Sequence, residues 1–149
     1  MGVMIWRFIA MLCTAITMAA GFTHLLELPR KITLGREQYL MVQQLYRGWS
    51  WLGIVVVGAL VSTGIAARLT RGRPSEFKLT MLAASCIALS LIVFFLFTFP
   101  ANQQTQNWTV LPDNWESLRR QWEYSHAVAA GFDFLALSAL TLSLLVGRD

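Results

Sequence analysis

The sequence predicts an all-α fold: a four-helix transmembrane bundle with both termini cytoplasmic. Three observations carry this. Of 149 residues, 56% are hydrophobic and only 13% charged, against about 25% charged in soluble domains. The charged residues collect between long apolar runs rather than alternating with apolar ones. Four of those runs, 3–26, 49–69, 79–99 and 122–146, reach the roughly 20 residues a helix needs to cross a bilayer. Together they use up the length, so residues 1–149 read as one four-span membrane domain.

Each span has its own pattern. The first has Arg7 as its basic flank and an apolar core longer than that of a secretory signal peptide, so it is read as a retained span. The second carries Gly58, Ser62 and Ala66 at intervals of four, small residues that let helix backbones approach closely in lipid. The third carries Ala84, Ala88 and Ile92 at the same interval and ends in Phe94, Phe95, Phe97 and Phe99. The fourth follows Asp113-Asn114-Trp115-Glu116, where Asp113 is expected to cap a helix starting near Trp115, with Glu116 at its third position. Between the first two spans, Arg30–Arg47 mixes Leu34, Tyr39, Leu40, Val42 and Leu45 with polar residues, the pattern of a short amphipathic helix.

Charge sets the expected orientation. The loop between spans two and three holds Arg68, Arg71, Arg73 and Lys78 against Glu76, and the positive-inside rule places it in the cytoplasm. Arg7 and Arg148 agree. Loops 29–48 and 100–121 then face outward, towards the periplasm if the membrane is a bacterial inner membrane. Trp49, Trp51, Trp108, Trp115 and Trp122 fall on that side as an interfacial aromatic belt. The pI near 9.6 is explained by the basic flanks, and no nucleic-acid partner is expected. Cys13 and Cys86 lie inside spans and form no secreted disulfide framework. There is no phosphate-binding glycine loop, no CxxC and no spaced Ser/His/Asp set. Asn107-Trp108-Thr109 matches a glycosylation sequon, a short pattern of low specificity. No internal repeat is found: duplicated hairpins would point the same way and would not map helix one onto helix four.

The chemistry-bearing feature is a mirrored pair. The chain has two histidines, and each stands three residues from a glutamate: His24 with Glu27, and His126 with Glu123. In antiparallel first and fourth spans, histidine meets histidine at one level, with the glutamates about 4.5 Å nearer the water. Ionisable groups in membrane helices are costly and mark functional sites by default. On helix four, Arg119, Glu123, His126, Ala130 and Asp133 share one stripe. On helix one, the stripe holds Cys13, Thr17, Ala20, His24 and Glu27, with Thr17 expected near the depth of Asp133. The two imidazoles are expected to face each other in one cavity opening outward.

Three readings fit these residues. In the first, the groups satisfy one another in a purely structural network. In the second, His24, Glu27, Glu123 and His126 ligate a mononuclear transition metal, because Glu-x-x-His is how helical bundles present such ligands while helices two and three offer no further carboxylate. In the third, His24 and His126 are axial ligands of a haem b held across the bundle.

A further signal lies at the third loop and fourth helix. Phe99-Pro100-Ala101-Asn102, then Trp115, then Leu118-Arg119-Arg120-Gln121-Trp122-Glu123-Tyr124-Ser125-His126 resembles the anthrone oxygenase-like family of small four-span membrane proteins, many of whose bacterial members have no assigned activity. Its pattern of Pro-x-Asn, a tryptophan, then Arg-x-Trp-x-x-x-His is matched by Pro100, Asn102, Trp115, Arg120, Trp122 and His126. The family's arginine a few residues past the histidine is replaced here by Val128, Ala129 and Ala130, so no role resting on it carries over. The resemblance implies an oxygenase-type membrane oxidoreductase acting on a lipophilic, aromatic substrate. His126 beside Glu123 would be the base, and Arg119 or Arg120 the stabiliser of a developing anion. Asn102, Trp115, Trp122 and the deeper Asp133 are expected to contact the substrate. The alternative is a non-catalytic haem- or metal-binding subunit, a homo-oligomer or part of a larger membrane complex.

Overall fold

A computed structural model of the chain describes residues 2–147. Met1, Arg148 and Asp149 lie outside the described residues, and with them the share of Arg148 in the charge argument. The helices are α1 (Gly2–Lys31), α2 (Arg36–Gln43), α3 (Leu52–Leu69), α4 (Pro74–Val93), α5 (Phe99–Gln104) and α6 (Trp115–Leu145). No strand occurs among the described residues. Four stretches are long and apolar enough to cross a membrane: Gly2–Lys31, Trp49–Leu69, Pro74–Gln104 and Trp115–Leu145. The chain is an all-α four-helix bundle of the integral membrane type. α1 packs on α3 and α6, and α4 packs on α3 and α6, which closes a ring in which the first and last spans are neighbours.

Two boundaries and one cap depart from the sequence expectation. α1 does not stop at Leu26 but continues through Pro29 to Lys31. A proline this near the end removes one backbone bond, and the turn is still closed by Ile32 N–H donating to Leu28 O at 3.0 Å. The third span passes without a break from α4 through a π segment, Phe94–Thr98, into α5. The widened turn lies just before Pro100, and Gln121 Nε2 donates to Phe97 O within it at 2.7 Å. α6 starts at Trp115 as expected, but Asn114 rather than Asp113 is its cap residue, and it makes no side-chain cap bond. Trp115 N–H is instead accepted by Pro112 O at 3.0 Å, so a backbone turn does the work assigned to Asp113.

The inward faces follow from small and hydroxyl residues. Ser62 and Ala66 are buried as the interval of four requires, and a Cβ added at Gly58 would lie 3.6 Å from Cys13 Sγ. On α4 the expected Ala84–Ala88–Ile92 line is not the buried one; Ile92 is 51% exposed. Thr80, Ala83, Ile87 and Ser90 face inward instead. The reason is the pairing with α6, where the Thr80 and Ser143 hydroxyls meet at 3.2 Å and those of Thr98 and Ser125 at 2.7 Å. Between these two contacts lies an apolar layer that includes Ala10, Ala59, Ala83, Ile87, Ala136, Ala139 and Leu140.

At the end of the bundle formed by the α3–α4 turn, Arg7 of α1 donates to the Glu76 carboxylate in the first turn of α4. Both side chains are buried, and Arg73 Nη1 stands 3.4 Å from the same carboxylate. Removing one partner of a buried pair strands the other charge, at a cost of about 3 kcal/mol at the low end of such measurements. Arg7→Met is therefore expected to lower the thermal midpoint in detergent by several degrees, and the Arg7→Met/Glu76→Met double variant to recover most of that loss. A single variant as stable as wild type would show the pair to be incidental.

Candidate functional site

The opposite end is roofed by α2, α5 and the chain leading into α6. Tyr39, Ala101, Trp108, Leu111, Leu118 and Trp122 form its buried cluster. Asn102 organises it: its Oδ1 accepts from Trp108 Nε1 at 3.1 Å and Trp122 Nε1 at 2.8 Å. Trp108 is driven inward by three consecutive left-handed residues, Gln106, Asn107 and Trp108, with φ of 49°, 57° and 59°. Such backbone is disfavoured for residues with a side chain. It is held by Asn107 N–H on Asn102 O at 2.7 Å and Trp108 N–H on Thr105 Oγ1 at 3.1 Å.

Beneath the roof, the imidazoles of His24 and His126 are stacked, with ring centroids 4.4 Å apart and planes inclined by 29°. His24 is buried, and its ring is edged by Tyr46, Trp122 and Trp49 at 4.5, 4.9 and 5.5 Å. His126 is half-buried and lies 4.2 Å from Trp122. The helices can bring the rings this close because Gly21 meets Ala130 one turn below. A Cβ at Gly21 would stand 3.2 Å from that of Ala130.

The glutamates lie one turn nearer this end of the bundle, and an ammonium stands between them. Lys31 Nζ is 3.0 Å from Glu123 Oε1 and 3.7 Å from Glu27 Oε2, and 4.5 and 4.8 Å from the ring centres of Tyr46 and Trp122. Tyr46 donates its hydroxyl to Glu27. Tyr39 donates to Glu123 Oε1 at 2.9 Å and accepts from Gln43 Nε2 at 2.6 Å. Burial, then the neighbouring Glu123 carboxylate, pushes the Tyr39 phenol well above its ordinary value. Burial and the bond to Glu27 do the same for Tyr46.

This arrangement bears on both cofactor readings. A metal held by the two carboxylates would need the place that Lys31 fills. Among the described residues, no group of three or more His, Cys, Asp and Glu side chains is arranged to hold one. A haem between the histidines would need a porphyrin's width where two rings touch and α1 meets α6 at Gly21. The metal set His24, Glu27, Glu123 and His126 and the axial pair His24 and His126 are thus brought together around the Lys31 ammonium and not around an open position. The groups converge, but as an ion-paired, aromatic-walled cluster.

The other expected residues fall as follows. Arg119 is buried, donates from Nη1 to Leu34 O at 2.6 Å, and lies over Trp115 and Tyr39 at 4.6 and 5.5 Å. It braces the roof. Arg120 is exposed and is not brought into the cluster. Trp115 packs against Tyr39 at 6.1 Å. Asp133 is buried two turns below His126, with no hydrogen-bond partner on Oδ1. The Thr17 hydroxyl turns back to Cys13 O at 3.0 Å, while Thr14 is the buried threonine of α1. Lys31, Tyr39, Tyr46 and Gln43 were not foreseen. For Lys31 a signal exists: Ala10, Thr17, His24 and Lys31 recur every seven residues along α1, a seam spacing.

No family model matches the chain, and neither a curated protein nor a solved structure is significantly similar to it.

Two outcomes are expected. Asn102→Ala strands two indole N–H donors, each worth about 1–3 kcal/mol when buried without a partner, and is expected to lower the thermal midpoint and red-shift the tryptophan emission. An unaltered emission spectrum would show that Asn102 does not hold the roof. The second concerns alkali. Folded protein keeps the Tyr39 and Tyr46 protons that the unfolded chain loses above about pH 10. Stability is therefore complete below that pH and falls as it is exceeded. Tyrosinate absorbance at pH 11 should report fewer ionised phenols than the three tyrosines present until the protein unfolds.

Proposed function

We propose that the chain is a membrane-embedded oxidoreductase of oxygenase type, acting on a lipophilic aromatic substrate at the histidine pair. The observation that carries this reading is the juxtaposition of two touching imidazoles with an ammonium fixed one to two turns above, all walled by tryptophan and tyrosine. Such a site sets a base beside a buried ion-paired cluster, in surroundings where electrostatic interactions act strongly. The likeness of Pro100, Asn102, Trp115, Arg120, Trp122 and His126 to the anthrone oxygenase pattern supports the same reading, although Arg120 is exposed, and so does the hydrogen bond that joins Asn102 and Trp122.

The chemistry runs through a carbon acid. A methylene between two aromatic rings, conjugated to a ring carbonyl, gives up a proton to His126, the more accessible imidazole. The electron pair delocalises to the carbonyl oxygen, giving the enolate. Molecular oxygen is the oxidant: it takes the electrons, one of its atoms becomes the new carbonyl oxygen, and the other leaves as water with the two methylene hydrogens. Arg119, tied to Leu34 O, is left a positioning role. By the positive-inside argument, the site faces the outer side of the membrane.

General bases contribute about 10²–10⁴-fold to such steps. His126→Ala is expected to lower oxygen consumption with an anthrone-type substrate by at least about a hundredfold while helical content and thermal midpoint are kept. Unchanged turnover in the folded variant would refute the catalytic role. A wild-type protein that is inert alone but purifies with a stable partner would favour the subunit reading.

A further inference from the structure

The walls around Lys31 are each held by something other than Lys31. Glu123 accepts from Tyr39, Glu27 from Tyr46, and the Trp122 indole is anchored on Asn102. Two carboxylates and two ring faces directed at one point are the elements that recognise an alkylammonium: the carboxylates take its N–H groups and the rings its charge. Glu123 Oε2, fully buried, has no hydrogen-bond partner, and Lys31 Nζ is ion-paired to Glu123 Oε1 without making a directed hydrogen bond, so the cage offers an acceptor that the present occupant leaves open. That occupant comes from the last residue of α1 on a flexible four-carbon stem, and none of the four walls depends on the stem for its position.

We infer that this cage is a primary-ammonium site in its own right, with Lys31 as its tethered ligand, and that it takes a free small alkylammonium ion once that side chain is shortened. The site selects N–H-bearing cations. A tetraalkylammonium has no proton for the carboxylates, and a sodium ion gains less from the ring faces. The inference is independent of the oxygenase reading, since it concerns binding and not turnover.

The test has two arms, both in detergent. The chain has two lysines, Lys31 and the exposed Lys78. In wild-type protein, reductive methylation read by peptide mass spectrometry should modify Lys78 and spare Lys31; equal rates at both would overturn the cage. In Lys31→Ala, ethylammonium chloride at fixed ionic strength should raise the thermal midpoint and return the NMR signals of the two histidines towards their wild-type positions. Half-saturation should come at a concentration at least tenfold below that for sodium or tetramethylammonium. An equal response to all three cations, or none, overturns the inference. If Lys31→Ala does not fold unaided, ethylammonium in the purification buffer should recover folded protein where the other two cations do not, and failure to do so is equally decisive against it.

Discussion

A lysine ammonium withdrawn almost completely from water has to be neutralised where it stands. The cost of leaving an ion uncompensated in such surroundings is several kcal/mol, and Lys31 is 3% exposed. Much of the upper end follows from this requirement. α1 must run past Pro29 to deliver the side chain. α6 must begin above the membrane level so that Glu123 arrives opposite it. α2 and the turn after it must fold back over the bundle, because the carboxylates that hold the ammonium need hydroxyl donors of their own, and Tyr39 and Tyr46 bring them. Arg119 adds a second positive charge one turn above Glu123 on α6, so the two glutamates are matched by two cations within the same roof.

The fold was legible because membrane spans are written in composition. Four apolar runs of sufficient length leave few alternatives, and the mirrored His–Glu spacing was enough to place the imidazoles at one depth on neighbouring helices. What the sequence did not disclose depended on contacts between distant segments. Pro29 reads as a helix end, and that reading hid Lys31 in a loop although it continues the seam through His24. The buried line of α4 was misassigned because alanines at four-residue spacing looked like a packing face, whereas hydroxyl pairs with α6 decide the rotation of the helix. Tyr39 and Tyr46 sat in a segment recognised as amphipathic, but nothing local says which partners a loop helix will meet. Lys31 escaped notice for the same reason: two histidines and two carboxylates suggest a cation between them, and the chain places one of its own side chains there.

The roof shows how short motifs gain meaning from geometry. Asn102, Trp108 and Trp122 are far apart in sequence, yet the π turn, α5 and three left-handed residues bring both indoles to one amide oxygen. The strain in that loop is borne by backbone bonds around Thr105 and Asn102. Its result is that Trp122 touches both histidines and the ammonium at once, linking the two halves of the site through a single indole.

The apolar layer of Ala10, Ala59, Ala83, Ile87, Ala136, Ala139 and Leu140 separates the histidine end from the Arg7–Glu76 end. The consequence is electrostatic isolation. Among the described residues no side-chain hydrogen bond or ion pair runs from the histidine cluster to Arg7 and Glu76, so each end balances its own charges: Lys31 against Glu27 and Glu123 at one, Arg7 and Arg73 against Glu76 at the other.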